Sequence, residues 1–255
     1  MSIERNTHPF TARSVILSVL LGTEPPRLPV SLLVSTTALF GINDNTTRTA
    51  LSRMSAAGEV RSVDGRYEIS SPRLLDRQAR QATSRRGVTT EWSGEWIQAV
   101  VVADGQRPAA ERASLRASLA AHRLVELREG VWLRPDNLAD PPPALDDLVW
   151  FCTRPDADPA ALAARLWDLD AWRATAERLD ERVEQLLPRL EAGDRTTLAE
   201  GFVLSADVLR HLQADPLLPM QLLSPSWPGG ALRANYERYD GAYREVLRSW
   251  FDEHR

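Results

Sequence analysis

The sequence has no lysine, one cysteine and no long uninterrupted hydrophobic run. The single cysteine, Cys152, excludes an internal disulfide framework and is typical of a reducing compartment. It follows the apolar run LVWF, which predicts a buried strand residue. Pro25, Pro26 and Pro29 break the first hydrophobic stretch, and no segment approaches the roughly 20 apolar residues of a membrane span. We therefore expect a soluble cytoplasmic protein without a membrane partner.

Motifs for catalysis are also missing. The four histidines are scattered, and the chain has no Ser/His/Asp or Cys/His arrangement, no Gly-rich phosphate loop and no HExxH pattern. The sequence therefore predicts no catalytic residues, no metal site and no cofactor, and favours a protein that is not an enzyme.

Charge is unevenly distributed along the chain. Residues 1–87 contain 12 Arg against 7 Asp and Glu, a formal +5, whereas residues 88–255 contain 19 against 28, or −9. The net charge of −4 thus conceals a basic N-terminal module joined to an acidic remainder. This asymmetry favours a nucleic-acid reader whose other domains have different roles.

The stretch GINDNTTRTALSRMSAAGEVRSVDGRYEIS, which begins at residue 41, is the most informative. At about 100° per residue, Thr47, Ala50, Leu51 and Met54 fall on one narrow stripe, which predicts a helix over about Asn45–Ala57. Asn43 or Asp44 can cap its start, and Gly58 is placed for a left-handed stop. Val60, Val63, Tyr67 and Ile69 flank Asp64-Gly65, a strong signal for a two-residue β-hairpin turn.

The preceding residues predict two more helices, at about 10–22 and 29–40. Three helices followed by a hairpin is the order of a winged helix-turn-helix, which makes a double-stranded DNA operator the leading partner. The alternative is an ordinary helix and hairpin with a solvated polar face. In the first interpretation, base edges and phosphates are contacted by polar side chains of the third helix and the wing Arg61–Arg66. They are Asn45, Thr46, Arg48, Thr49, Ser52, Arg53, Arg61 and Arg66.

The rest of the chain changes character twice. Residues 71–87 predict a basic linker helix, and the next segments read strand, helix, strand, strand, strand up to residue 155. That order predicts a small ferredoxin-like α+β domain, which lacks its second helix unless residues 159–168 supply it. From Pro159 onward the chain is helical, with an interruption near Asp168–Asp170. We therefore predict an α+β multidomain chain with domains at 1–88, 89–156 and 157–255.

Three stretches together resemble the PaaX family of transcriptional regulators of phenylacetate catabolism. They are the N-terminal TARSVILSVLLG with GINDNTTRTALSRMSAAGEV, the strand start EWSGEWIQAVVV, and DPLLPMQLLSPSWPGGALRANYERY. The last is similar to a family signature of the form DP-x-LP-x-x-LLP-x-x-WPG. Ser224 stands where that signature usually has proline.

The resemblance implies a winged-helix N-terminus, a middle domain similar to the small ferredoxin-like CRISPR-associated nucleases, and a helical C-terminal domain. It further implies a homodimeric repressor on a pseudo-palindromic operator, released by a small-molecule effector such as phenylacetyl-CoA or another aryl-CoA. Tryptophans could line an aromatic-acyl pocket, although core packing is the competing interpretation for each. The candidates are Trp92, Trp96, Trp132, Trp167 and Trp172.

The alternative function is a metal-dependent nuclease that uses the ferredoxin-like middle domain. Asp104 closes the strand AVVVAD, where a metal-binding carboxylate would lie. An Asp followed by Gly105 at a strand end is, however, usually a turn residue, and no second ligand lies at a suggestive spacing. Fold analogy is weak support for activity, so the sequence favours the repressor.

Overall fold

A computed structural model of the chain describes residues 10–23, 25–102, 108–139, 141–142, 145 and 147–253, with residues 77 and 80–84 described by their backbone only. The architecture is α+β, with two small antiparallel sheets and a helical C-terminal region. Among the described helices, none is both long and apolar enough to cross a membrane.

The N-terminal elements alternate helices with short strands. Their bounds are α1 Ala12–Gly22, β1 Arg27–Pro29, α2 Val30–Ala38, α3 Asp44–Ala56, β2 Val60–Val63, β3 Arg66–Ile69 and α4 Pro72–Arg86. The three strands pair antiparallel in the order β1-β3-β2. Helix α1 contacts β3 and helix α2 contacts β1. The buried side chains of the two helices include Val15, Ile16 and Leu20 of α1 and Leu32 and Leu33 of α2.

A second sheet follows. Its strands and helix are β4 Trp96–Val101, α5 Ala109–Ala121, β5 Val125–Arg128, β6 Val131–Pro135 and β7 Leu148–Thr153. All pairs are antiparallel, in the order β5-β6-β4-β7. Side chains alternate across β4, so Trp96 enters a core cluster with Leu162 and Leu222 on one face while Ala99 packs with Leu119 on the other.

The remaining chain is helical. It comprises α6 Pro159–Leu166, α7 Leu169–Glu191, a 3-10 turn at Arg195–Thr197, α8 Leu198–Gln213, a 3-10 turn at Met220–Leu222 and α9 Gly229–Glu253. The break between α6 and α7 lies at Trp167 and Asp168, close to the predicted interruption. The Asp168 carboxylate caps the start of α7 by accepting the Ala171 N–H at 3.0 Å.

Two compact units emerge, both discontinuous in sequence. The first contains residues up to 82 with 181–207 and the segment from 235, and the second contains 83–180 with 208–234. In the first unit Phe202 packs against Phe40 and Phe10, with ring centroids 5.0 and 6.0 Å away, and Arg244 Nη1 donates to the Gly22 carbonyl at 2.9 Å. The three-domain division stays a prediction, because the units follow contacts rather than sequence order.

Most predicted elements are present. Helix α6 lies within the predicted range 159–168, after β7, and no helix occurs among the described residues between β6 and β7. Two features differ from the prediction. Strand β1 was not predicted. The prediction that Cys152 is buried is wrong: it lies in β7 but is exposed. β7 is an edge strand of its sheet, so along one side it lacks the neighbouring strand that helps to cover the side chains of a central strand.

Candidate nucleic-acid interface

Helix α3 is fixed at both ends by its own sequence. The Asn43 side chain accepts the Thr46 N–H at 2.8 Å, which satisfies one of the free donors of the first turn. At the other end Gly58 adopts φ +68°, and the Glu59 N–H returns to the Met54 carbonyl at 2.9 Å. A left-handed conformation favours glycine, so the chain turns into the hairpin here.

One side of α3 is buried. Thr47, Leu51 and Met54 are at most 2% exposed. Thr47 Oγ1 lies 2.7 Å from Thr37 Oγ1 of α2 in a buried hydroxyl pair, so the only polar member of the stripe is satisfied. The stripe therefore fixes the rotation of α3 about its axis and decides which side chains face outward.

All eight predicted DNA-contacting residues are exposed. On α3 they occupy the side opposite the buried stripe, and the two hairpin residues flank the tight turn. They are Asn45, Thr46, Arg48, Thr49, Ser52, Arg53, Arg61 and Arg66. The structure thus presents the α3 set as one continuous polar face that can approach another molecule.

The hairpin confirms the predicted turn. Asp64 and Gly65 both have positive φ, at +50° and +72°, as the turn type that matches strand twist requires. The register places Arg61 opposite Glu68. The turn therefore projects as a short wing with an arginine on either side.

The four arginines of α3 and the wing fall into two classes. Arg48 Nε lies 2.6 Å from Asp44 Oδ1, and Arg61 Nε lies 2.5 Å from Glu68 Oε1. Neither Arg53 nor Arg66 has an ion pair or side-chain hydrogen bond within the described part of the chain. Two guanidiniums are anchored and two are free.

A third ion pair supports the interface from behind. Arg13 of α1 binds Glu59, at the junction of α3 and β2, with Nε 2.9 Å from Oε2. This hydrogen bond lowers the pKa of Glu59 below its ordinary value, and partial desolvation opposes it. The carboxylate therefore stays ionised at neutral pH and ties α1 to the start of the hairpin.

The predicted ligand-binding tryptophans do not converge on one site. Trp92 and Trp167 pack against the fully buried Trp96, each with ring centroids 6.4 Å from it. Trp132 is buried in the cluster on the opposite face of the sheet. Trp172 is buried between His211 and Trp227, whose ring centroids lie 4.3 and 4.7 Å away.

A cavity of about 460 Å³ opens where α6 meets α7. Of the predicted tryptophans, Trp167 lines it, and so does Trp227, which the sequence did not single out. Arg165 and Arg173 supply positive charge. Arg173 pairs with Asp170 at 2.9 Å, whereas Arg165 has no ion pair among the residues that the structure describes.

Comparison with known families decides the identity of the chain. The model of the PaaX-like protein family matches residues 11–73, and that of the PaaX-like protein C-terminal domain matches residues 167–253. Together they span more than half of the chain. The chain belongs to the PaaX family.

A solved structure extends the comparison over nearly the whole length. Uncharacterized protein Rv0674 from Mycobacterium tuberculosis is similar to this PaaX-family chain, with a TM-score of 0.72 and 41% identity, over 94% of this chain and 98% of that one. The comparison with curated proteins gave no match.

The PaaX-like signature DPLLP is organised by a buried ion pair that sequence reasoning missed. Arg233 Nη2 donates to Asp215 Oδ2 at 2.7 Å, and Asp215 Oδ1 accepts the Leu217 N–H at 2.9 Å. Asn137 Nδ2 donates to the Leu217 carbonyl at 2.8 Å. These bonds hold Leu217 at φ +53°, so its backbone is fixed by its neighbours.

Among the described residues of this chain, one grouping of side chains could hold a metal ion. Glu95, Asp136 and Cys152 place potential ligand atoms within 4.8 Å of one another, which the sequence did not predict. Desolvation, then the hydrogen bond with Glu95, raises the pKa of the Cys152 thiol above its ordinary value. Asp104, the predicted nuclease carboxylate, lies outside the described residues.

Proposed function

We propose that the chain is a sequence-specific DNA-binding repressor of aromatic-acid catabolic genes of the phenylacetate type, relieved by an aryl-CoA effector. Membership of the PaaX family supports this assignment. The observation that carries it is the polar face of α3, whose predicted DNA-contacting residues are all exposed while Thr47, Leu51 and Met54 are buried beneath them.

The order of elements supports a winged helix-turn-helix reading head. α2 and α3 would form the helix-turn-helix, and the β2–β3 hairpin would form the wing. In this arrangement Asn45, Arg48 and Ser52 face base edges in the major groove, and Arg53, Arg61 and Arg66 lie near phosphates. The strand order β5-β6-β4-β7 likewise supports a ferredoxin-like middle domain.

Arg48→Ala tests the reading head. We expect its binding to the DNA upstream of the gene that encodes the chain to weaken by about 1–3 kcal/mol, with selectivity lost at one base position. Gel shift or fluorescence anisotropy measures this binding. Arg238→Ala, an exposed arginine of α9, is the matched control and should bind as the unaltered chain does. Equal binding and selectivity of both variants would remove Arg48 from the reading surface.

A homodimer is part of the proposal, because one reading head covers only one half-site. The strand β7 carries no charged side chain and exposes Val149 and Phe151, an unusual edge for a monomer. The Val102 N–H donates to the Asp147 carbonyl at 3.1 Å. By antiparallel alternation, the N–H and C=O groups of Trp150 and Cys152 point away from β4 and can pair with another strand.

Self-pairing of β7 about a two-fold axis at Trp150 would place Phe151 opposite Val149 of the partner subunit. Phe151→Glu should therefore give a monomer in sedimentation velocity at micromolar concentration. Adding Val149→Arg should restore the dimer, because each Glu then faces an Arg. A dimer that survives Phe151→Glu would move the interface elsewhere, and a monomeric unaltered chain would contradict dimerisation.

The cavity beside Trp167 is the place we propose for the effector. Its lining of Trp167 and Trp227 suits an aromatic acyl group, and its volume is that of small-molecule sites. Asp168 caps α7 and Asp170 pairs with Arg173, so both carboxylates are engaged. Arg165 is left to bind a phosphate of the CoA moiety as a forked donor.

Calorimetric titration with phenylacetyl-CoA tests this site, with free CoA as the reference ligand. Arg165→Ala should weaken binding, while Arg178→Ala, which lies on α7 outside the cavity lining, should not. Bound effector should also lower operator affinity, since a ligand relieves repression only by favouring the DNA-free state. No heat together with unchanged DNA binding would exclude this effector.

A further inference from the structure

The reading surface, formed by α3 and the β2–β3 hairpin, carries no net charge. Attraction to phosphates alone therefore does not account for its composition. Between residues 44 and 69 the chain has four arginines and four acidic residues, Asp44, Glu59, Asp64 and Glu68. Carboxylates beside a phosphate backbone oppose binding. Three of these four carboxylates are, however, paired with an arginine: Glu59 with Arg13 behind the interface, and the other two on its face.

The pairing is made through one particular atom. In both pairs Nε is the nearest nitrogen: Arg61 Nε donates a hydrogen bond to Glu68 Oε1 at 2.5 Å, and Arg48 Nε forms an ion pair with Asp44 Oδ1 at 2.6 Å. An arginine held at Nε keeps Nη1 and Nη2 available as a planar fork, and neither Arg48 nor Arg61 uses that fork on any residue that the structure describes. A fork of this kind matches two acceptors on one base, such as guanine O6 and N7.

The two carboxylates, Asp44 and Glu68, lie in different structural settings. Asp44 lies in the first turn of α3, where the helix dipole favours a carboxylate, and reaches Arg48 one turn later. Glu68 is the register partner of Arg61 across the hairpin, and its side chain is only 19% exposed. One carboxylate therefore positions a helix arginine, and the other positions a wing arginine.

We propose that Asp44 and Glu68 are positioning residues that set sequence selectivity, by holding Arg48 and Arg61 as preformed forks for base edges. Arg53 and Arg66, which have no such anchor, neutralise phosphates. This inference rests on the proposed DNA-binding function and assigns the wing arginine Arg61 a reading role in place of a phosphate contact. The two carboxylates lower the affinity for DNA of any sequence and increase the preference for the cognate sequence.

The test compares Asp44→Asn with Arg53→Ala in the full-length chain. Duplexes enriched by the unaltered chain from a random pool serve as the cognate probe, and a shuffled duplex serves as the non-cognate one. Asp44→Asn should bind non-cognate DNA more tightly, while the cognate to non-cognate ratio falls about 2- to 10-fold, the entropic effect of ordering one long side chain. Asp44→Glu, which keeps the carboxylate, should retain the ratio.

Arg53→Ala should behave differently. Its affinity for both probes should fall alike, and the slope of log affinity against log salt should decrease by about 0.9, as expected for one lost phosphate contact. Glu68→Gln should repeat the Asp44→Asn pattern at the base pairs beside the wing. Circular dichroism checks that each exposed substitution leaves the fold intact.

The outcomes separate the two levels of the proposal. If the unaltered chain enriches no sequence at low salt, the DNA-binding function and the positioning role both fail. If it enriches a sequence and Asp44→Asn keeps the same ratio and the same tolerance at each base pair, the positioning role alone is overturned. For Arg48→Ala, an unchanged ratio together with a smaller salt slope would instead make Arg48 a phosphate contact.

Discussion

Asp215→Ala should destabilise the protein more than any substitution of a surface charge. The Asp215–Arg233 pair is shielded from solvent, with the two side chains only 4% and 15% exposed. Removing the carboxylate leaves the Arg233 guanidinium buried without its counter-charge. It also removes the acceptor of the Leu217 N–H, which helps to hold the DPLLP turn.

The expected loss follows from this burial. Breaking a buried ion pair by removing one partner costs about 3–5 kcal/mol, because an uncompensated charge stays inside the protein. The exposed Arg238–Glu191 pair, with side chains 65% and 50% exposed, is the matched control. Glu191→Ala should cost about 0–1 kcal/mol, since solvent already screens that pair.

Urea unfolding followed by tryptophan fluorescence gives the free energy of unfolding of both variants. The values are compared provided that the dependence of this free energy on urea concentration has the same slope in each. Asp215→Leu combined with Arg233→Met should recover only part of the loss: the Arg233 charge is then gone, but the Leu217 N–H still lacks its acceptor and Arg123 still lacks the nearby Asp215 carboxylate. A loss below about 1 kcal/mol for Asp215→Ala would refute the reasoning and show that water reaches the Arg233 guanidinium.

Three further substitutions test other parts of the structure. A Cβ at Gly201 would lie 2.8 Å from the Tyr243 ring, whose hydroxyl is held by the Leu198 carbonyl, so Gly201→Ala should cost about 1–3 kcal/mol in urea unfolding. Gly230→Ala, with nothing within 4 Å, should be neutral or slightly stabilising. Asn43→Ala should cost about 1 kcal/mol by removing the α3 cap, while Asn43→Ser should retain most of it; equal loss in both would argue against capping. Burial lowers the pKa of His211 below its unfolded value, so the unfolded chain binds more protons as pH falls below about 6.5. The free energy of unfolding should therefore decrease between pH 7 and 5.5, and His211→Phe should flatten that decrease; an unchanged profile would place the proton elsewhere.

Local signals made the N-terminal region predictable. Asp64-Gly65 dictates its turn through backbone conformation alone, and the spacing of Thr47, Leu51 and Met54 dictates which face of α3 is buried. The exposure of the six predicted DNA-contacting residues on α3 follows directly from that phase. Strand β1 escaped prediction because it is three residues long and ends in Pro29, and its pairing with β3 is a tertiary contact.

Non-local features could not be predicted in the same way. An apolar run such as LVWFC is the same for a central strand and an edge strand, so the exposure of Cys152 depends on the sheet order. Asp215 and Arg233 are 18 residues apart, and charged residues ordinarily read as surface. The carboxylate anchors of Arg48 and Arg61 depend on rotamers, which periodicity does not determine.

The first unit is built from segments that are far apart in the sequence, and this affects how the protein folds during synthesis. The Gly22 carbonyl receives its hydrogen bond from Arg244, 222 positions later, and Phe10 and Phe40 meet Phe202. During synthesis these contacts of the N-terminal region can therefore form only after α8 and α9 have left the ribosome. Such long-range closure slows folding, and a fragment cut after α4 would expose an aromatic patch to aggregation.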